Sequence, residues 1–433
     1  MIEKIKELLK SKSIKNSGWI IGDQVFEMGL QLIVGMITAR YLGPANYGTL
    51  SYTASFVTFF TSIATLGMDG VVIKKLIDHP DEEGLYLGSS MVFRIISSIL
   101  SIISVSIIVF ILNPAEELKV ILVFVQSIQL TFKAIKVLES WFQRHLLSKY
   151  SSIGSMLSCV VVSAYKIYLL ATGKSVIWFA FSNSVTEAVI VLVMWISYKK
   201  VGGQKLSYSF KVGKEILHES YHFIISGLMV AIYSQMDRVM LGQMINDTVV
   251  GLYSSATTIV GMWIIIPTAV INSFQPIVME AKHFGNEKLY ITRLEQLYSA
   301  IIWMCIIVSI GVGLLAKPII HILYGEAYLG AANSLKIAIW YETFAMIGSA
   351  RGIWILCENK NKYVKYFFLI GTIVNLILNA VLIPIYSIEG AAFATLITQI
   401  VTSLIAPLLF KETRIHTKLV LDSFTLKWYW GNK

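Results

Sequence analysis

Apolar residues run along this chain in blocks of helical length, and charge collects between the blocks. Crossing the ~30 Å hydrocarbon layer of a bilayer takes ~20 mostly apolar helical residues, and twelve stretches reach that length, at roughly 17–40, 48–73, 85–112, 117–141, 152–172, 175–198, 218–245, 249–279, 294–322, 328–357, 364–384 and 388–410. The pattern predicts an all-α polytopic membrane protein. Within several blocks the polar residues keep helical spacing. Ser51, Ser55, Thr58, Ser62, Thr65 and Asp69 recur every three or four positions, so they share one face of a helix.

Charge sets the orientation, because Lys and Arg are retained in cytoplasmic loops. Taking the loops alternately from the N-terminus, one set holds 27 of the 36 basic residues, Lys133, Lys136, Lys199, Lys200 and Lys205 among them. The other holds only Arg40, Lys119, Lys174 and Lys317. Both termini are therefore expected in the cytoplasm, and the net charge of +10 reflects topology, with no need of a nucleic-acid partner. The longest cytoplasmic connection lies near the midpoint. After the first block comes Leu42-Gly43, then Tyr47-Gly48; after the seventh comes Leu241-Gly242, then Val250-Gly251. Two similar six-helix lobes related by a pseudo-two-fold along the membrane normal follow. The expected domains are an amphipathic N-terminus (1–16) lying on the inner leaflet, an N-lobe (17–198), a linker (199–216), a C-lobe (217–410) and a tail (411–433).

Composition narrows the function. With 56% hydrophobic and 14% charged residues, a soluble enzyme is excluded. The loops are too short for a nucleotide-binding or catalytic module, and no Gly-rich phosphate loop occurs. Neither a catalytic constellation nor a metal framework is expected, since Cys159, Cys305 and Cys357 form no cluster. A membrane-embedded polymerase or ligase would need a large outward loop.

Charges inside the spans are then the candidate chemistry, because an acid at a helix centre costs ~2.5–3.5 kcal/mol. Asp23, Glu27 and Asp237 are candidate sites for a coupling H+ or Na+. Asp69, at the cytoplasmic end of its span, reads as a cap or partner for Lys74 and Lys75. Arg94 and Arg351 lie where a long side chain can snorkel, and Glu187 and Glu342 are possible partners for buried bases. Gln31, Ser55, Ser62, Asn272 and Gln275 are candidate walls of a wet central cavity. The alternative for the Ser/Thr stripe is tight helix packing.

Specific strings add a family. Ala39-Arg40-Tyr41-Leu42-Gly43-Pro44 with Tyr47-Gly48, Ala64-Thr65-Leu66-Gly67-Met68-Asp69-Gly70, Trp141-Phe142-Gln143, Met236-Asp237 and the Asn375 and Asn379 pair resemble the bacterial polysaccharide transporters, the Wzx-type oligosaccharide flippases. The resemblance, from about residue 16 to 415, implies a two-lobed fold shared with multidrug exporters and lipid II flippases. It implies movement of an undecaprenyl-diphosphate-linked oligosaccharide to the outer leaflet of the bacterial cytoplasmic membrane, for capsule, O-antigen or exopolysaccharide, by alternating access. Expected partners are that lipid-linked substrate, membrane lipids, a polysaccharide polymerase and chain-length proteins. The polyprenyl tail stays in lipid, since extracting some fifty carbons at ~0.8 kcal/mol each would cost about 40 kcal/mol. The chain carries Gln24, Glu27 and Gln235 where many relatives carry basic residues. Arg40, Arg94, Arg238 and Arg351 are the expected substitutes toward the diphosphate. A drug or metabolite antiporter of the same fold is the competing expectation.

Overall fold

The computed structural model describes residues 12–424, and every regular element among them is helical. Most of the amphipathic N-terminal segment, up to residue 11, and the end of the tail, 425–433, lie outside the described residues. In chain order the α-helices are α1 (Lys12–Ala64), α2 (Asp69–Asp78), α3 (Glu83–Leu112), α4 (Glu117–Ser127), α5 (Gln129–Ile135), α6 (Leu138–Arg144), α7 (Ser148–Ala171) and α8 (Val176–Val201). They continue with α9 (Phe210–Met244), α10 (Asp247–Trp263), α11 (Ile265–His283), α12 (Glu287–Tyr324), α13 (Ala331–Cys357), α14 (Val364–Ile400), α15 (Ala406–Leu409) and α16 (Arg414–Phe424). A π-helical turn, Val401–Ile405, joins α14 to α15.

The helices are turned inside out relative to a water-soluble bundle. On α3, Ser90, Ser97, Ser98 and Ser101 are buried, while Leu100, Ile103, Ile107, Phe110 and Ile111 are exposed. Small residues bring backbones together and large apolar ones face outward, the arrangement that lipid as solvent selects. Among the described residues nine helical stretches are long and apolar enough to cross a membrane. Two of them, Phe26–Asp78 and Asn361–Leu409, each run across two of the predicted blocks, broken at Gly43 and at Ser387. The predicted tenth block is helix α13, which is not among the nine. The predicted 48–73 block ends early: Leu66 and Gly67 take positive φ, and a separate short helix begins at Asp69. The predicted 117–141 block is divided among α4, α5 and α6.

The chain divides into two compact units, one of residues 1–42 and 49–231, the other of 43–48 and 232–433. The division falls within α9, beyond the connection expected to separate the lobes. Residues 202–209 are held on the first unit. The Ser207 amide donates to the Gly84 carbonyl at 3.1 Å, the Gly84 amide to Gln204 Oε1 at 2.9 Å and the Ser209 amide to Ser89 Oγ at 3.0 Å. A Cβ on Gly84 or Gly88 would stand 2.3 or 2.2 Å from the carbonyl oxygens of Lys205 and Ser207. Only glycines let this strap lie flat on α3. The first unit packs around Met68, Leu87, Trp141, Phe142, Ile190 and Met194. The second packs around Leu294, Tyr298, Ile347, Trp354, Phe367 and Val420, so α16 is part of its core.

Candidate functional site

The second unit holds the most fully coordinated charge. Asp237 on α9 is buried, and four neutral donors converge on its carboxylate. Tyr253 Oη and Thr395 Oγ1 donate to Oδ2 at 2.6 and 2.7 Å. Asn379 Nδ2 and Asn375 Nδ2 donate to Oδ1 at 2.6 and 3.3 Å. Among the described residues no cationic side chain pairs with it. Asn379 Nδ2 also donates to Asn375 Oδ1 at 3.0 Å, while the buried Asn379 Oδ1 has no hydrogen-bond partner. The cluster offers only oxygens to a cation, carboxylate, hydroxyl and amide, which is the donor set hard cations take.

Its neighbour Arg238 points elsewhere, as residues about 100° apart on a helix do. Its guanidinium donates to Ser254 Oγ at 3.2 Å, Gln235 Oε1 at 2.6 Å and Thr257 Oγ1 at 3.0 Å, with no carboxylate among the described residues. Arg351 on α13 is buried too. Nη1 donates to the Thr402 carbonyl at 2.5 Å, the guanidinium lies 4.4 Å from the Phe367 ring centroid, and Nε has no partner. Glu342 is buried on the same helix with Oε1 unpartnered, and among the described residues no base pairs with it. Asn272 is exposed and Gln275 half-buried on α11.

In the first unit Arg94 and Lys75 form ion pairs. Arg94 is 1% exposed and its Nη2 meets Asp69 Oδ1 at 2.6 Å. Arg94 therefore does not snorkel, and Asp69 does not serve Lys75, which instead binds Glu215 and, at 2.6 Å, Glu219. Glu27 accepts from Gln31 Nε2 at 2.8 Å, while one oxygen of the half-buried Asp23 is unpartnered. Ser55 is buried and bonds back to the Ser51 carbonyl at 3.0 Å. Ser62 is half-buried against Gly227. Arg40 is exposed just before Gly43.

Two residue sets escaped the sequence reading. Lys133 and Lys136, counted with the cytoplasmic charges at the end of the fourth block, lie on α5 and at its C-cap. They reach Glu187 of α8 at 4.0 and 3.4 Å, so Glu187 partners two half-buried bases. Their spacing of three in an apolar run was the available signal. Tyr253, Asn375, Asn379 and Thr395 were not placed around Asp237. Two asparagines four apart in an apolar helix are the trace they leave in sequence.

Comparison with known proteins completes the picture. A family model described as polysaccharide biosynthesis protein matches residues 13–282. The chain belongs to the polysaccharide biosynthesis protein family. Within reach of this family member lies the probable low-salt glycan biosynthesis flippase Agl15 of Haloferax volcanii, 21% identical over 88% of this chain and 80% of that protein. The lipid II flippase MurJ of Bacillus subtilis is 23% identical over 53% of this chain and 43% of that protein. These relatives are flippases rather than enzymes. A solved structure of lipid II flippase MurJ in an inward closed conformation has a TM-score of 0.69 at 16% identity, covering 93% of this chain and 90% of that one. An inward-facing multidrug resistance MATE transporter of the MOP superfamily has 0.60 at 14%, covering 96% and 97%. Both likenesses speak to fold, and this member of the family is a multi-pass membrane protein.

Proposed function

We propose that the chain flips an undecaprenyl-diphosphate-linked oligosaccharide repeat unit from the inner to the outer leaflet of a bacterial cytoplasmic membrane, for a surface polysaccharide such as O-antigen or capsule. Both termini are cytoplasmic in this reading, with twelve crossings in two six-helix lobes related by a pseudo-two-fold. Transport runs by alternating access coupled to H+ or Na+, and the product passes to a polysaccharide polymerase and chain-length proteins. The observation that carries the reading is Asp237, a buried carboxylate that four neutral donors orient and no protein cation neutralises. A group so costly in lipid is explained when a mobile cation completes it. Arg238, whose partners are all uncharged, and Arg40 are then contacts for the diphosphate, which is best met by guanidinium groups. Asp23 and Glu27, near Lys136, form a second candidate coupling pair.

The family supports a lipid-linked glycan as cargo, and the similarity to MurJ favours a lipid II-type headgroup as the second reading. Deletion of the gene should abolish surface polysaccharide and leave lipid-linked oligosaccharide facing the cytoplasm. Asp237→Ala, expressed at the normal level, should not restore export. A deletion strain with intact surface polysaccharide and altered drug susceptibility alone would instead mark a drug antiporter.

A further inference from the structure

Directly below the Asp237 cluster, within the second unit, lies a cavity of about 300 Å³ whose lining includes Tyr233, Ser349, Arg351, Phe367, Gln399 and Thr402. Its position follows from helix register. Tyr233 precedes Asp237 by one turn on α9, Gln399 follows Thr395 by one turn on α14, and Phe367 precedes Asn375 by two, so the cavity opens about one helical turn, ~5.4 Å, from the carboxylate layer. Between the two, Gly371 forms a neck, where a Cβ would stand 2.5 Å from Thr402 Cγ2 and 3.3 Å from Tyr233 Cε2.

The lining sets polar donors against apolar walls of Ala345, Phe367 and Phe368 and contains no carboxylate. Arg351 provides its only formal charge, buried and unpaired among the described residues, with Nε unpartnered. Around it stand the hydroxyls of Tyr233, Ser349 and Thr402 and the amide of Gln399. The Thr402 carbonyl that fixes Nη1 belongs to the π-helical turn, a distortion found mostly at functional sites. Such a lining repels cations and fits a tetrahedral oxyanion, which guanidinium and hydroxyl groups bind together.

We propose that this cavity binds a phosphate-class anion, and that its occupancy and that of the cation at Asp237 are thermodynamically linked. The linkage rests on the coupling role given to Asp237 above; the anion site does not. With the cavity empty, the uncompensated Arg351 charge opposes a cation one to two turns away. An anion cancels that charge, so each ligand strengthens the other, and by reciprocity by the same factor.

The test uses the full chain in nanodiscs, with inorganic pyrophosphate as probe, titrated calorimetrically in choline chloride, in NaCl and across pH. Pyrophosphate should bind the wild type, about tenfold more tightly when Na+ or H+ fills the cation site, and Na+ or H+ should gain the same factor from pyrophosphate. Arg351→Gln should lose at least tenfold in pyrophosphate affinity; Arg351→Lys should retain part of it, and Ser349→Ala, a lining change that spares the guanidinium, should weaken it less. Displacement of pyrophosphate by a prenyl diphosphate lipid identifies the lipid headgroup as the anion, and its retention identifies a free cytosolic phosphate. No pyrophosphate binding by the wild type, or equal binding by a folded Arg351→Gln, overturns the anion site. Asp237→Asn should keep pyrophosphate binding and lose the enhancement. Binding of both ligands with no mutual effect overturns the linkage, whereas an Asp237→Asn protein whose cation response is unchanged removes the coupling role of Asp237 and leaves the anion site standing.

Discussion

Replacing Asp237 by Asn keeps the volume and one acceptor oxygen but removes the charge. The structural cost can be worked from its four donors. Asn379 Nδ2 retains Asn375 Oδ1, and Asn375 Nδ2 retains Thr395 Oγ1 at 3.4 Å. The new carbonyl oxygen, turned toward Tyr253 and Thr395, accepts from both as Oδ2 does, while the new NH2 group faces the Asn375 and Asn379 amides, donor against donor, and their two bonds to the carboxylate are lost. A side-chain hydrogen bond between membrane helices contributes on average about 0.6 kcal/mol and at most ~1.7, so Asp237→Asn should cost about 1 kcal/mol. The ligand effect is larger. A cation at one hundred times its Kd stabilises the folded state by about 2.7 kcal/mol, all of it lost with the charge. Thermal unfolding of the purified protein, in NaCl against choline chloride at fixed ionic strength and then across pH, separates the two. The wild type should gain melting temperature with one cation, and Asp237→Asn should start slightly lower and gain nothing. A variant that responds to the cation as the wild type does would refute the reasoning, because the carboxylate would then not be the site.

Two other perturbations test the frame that holds the site. Gly88→Ala drives a methyl group into the Ser207 carbonyl, and overpacking of this kind costs about 1–3 kcal/mol; an unchanged melting temperature would contradict the docking of residues 202–209 on α3. His416, on α16 outside the membrane-spanning segments, is buried with both ring nitrogens unpartnered, and burial, reinforced by the Arg351 charge, holds its pKa well below the ordinary value. As pH falls below about 6.5 the unfolded chain takes up a proton that the folded one refuses, so stability should drop by about 1.4 kcal/mol per pH unit. It should be complete above that pH. His416→Phe should flatten this slope in melts between pH 7.5 and 5.5, and parallel losses in both proteins would assign the titration to another group.

How much of this was legible in the sequence depends on whether the signal is local. The long apolar blocks follow from 3.6-residue periodicity and from the thickness of hydrocarbon, and most of the helices lie where those blocks do. The separate helix at Asp69 was not legible, because Leu66 and Gly67 interrupt an apolar run that composition alone continues. Asp237 was marked by its cost in lipid, but its four donors come from α10 and α14, and sequence cannot bring distant helices together. Arg94 differs for the same reason: from sequence it is a lone charge able to snorkel, whereas the fold carries Asp69 to it. Grouping the basic residues near each boundary counts Lys133 and Lys136 with the loops. Their partner Glu187 lies three helices later in the chain, visible only once α5 and α8 pack together.

The central claim is most directly tested by reconstituting the full chain in vesicles that contain a fluorescent undecaprenyl-diphosphate oligosaccharide and measuring how much of it becomes accessible to a membrane-impermeant quencher. Under an imposed Na+ or H+ gradient the wild type should move the lipid from one leaflet to the other, and Asp237→Asn should not. Movement at the same rate by both proteins, or by the wild type regardless of any gradient, would contradict a flippase driven through that carboxylate.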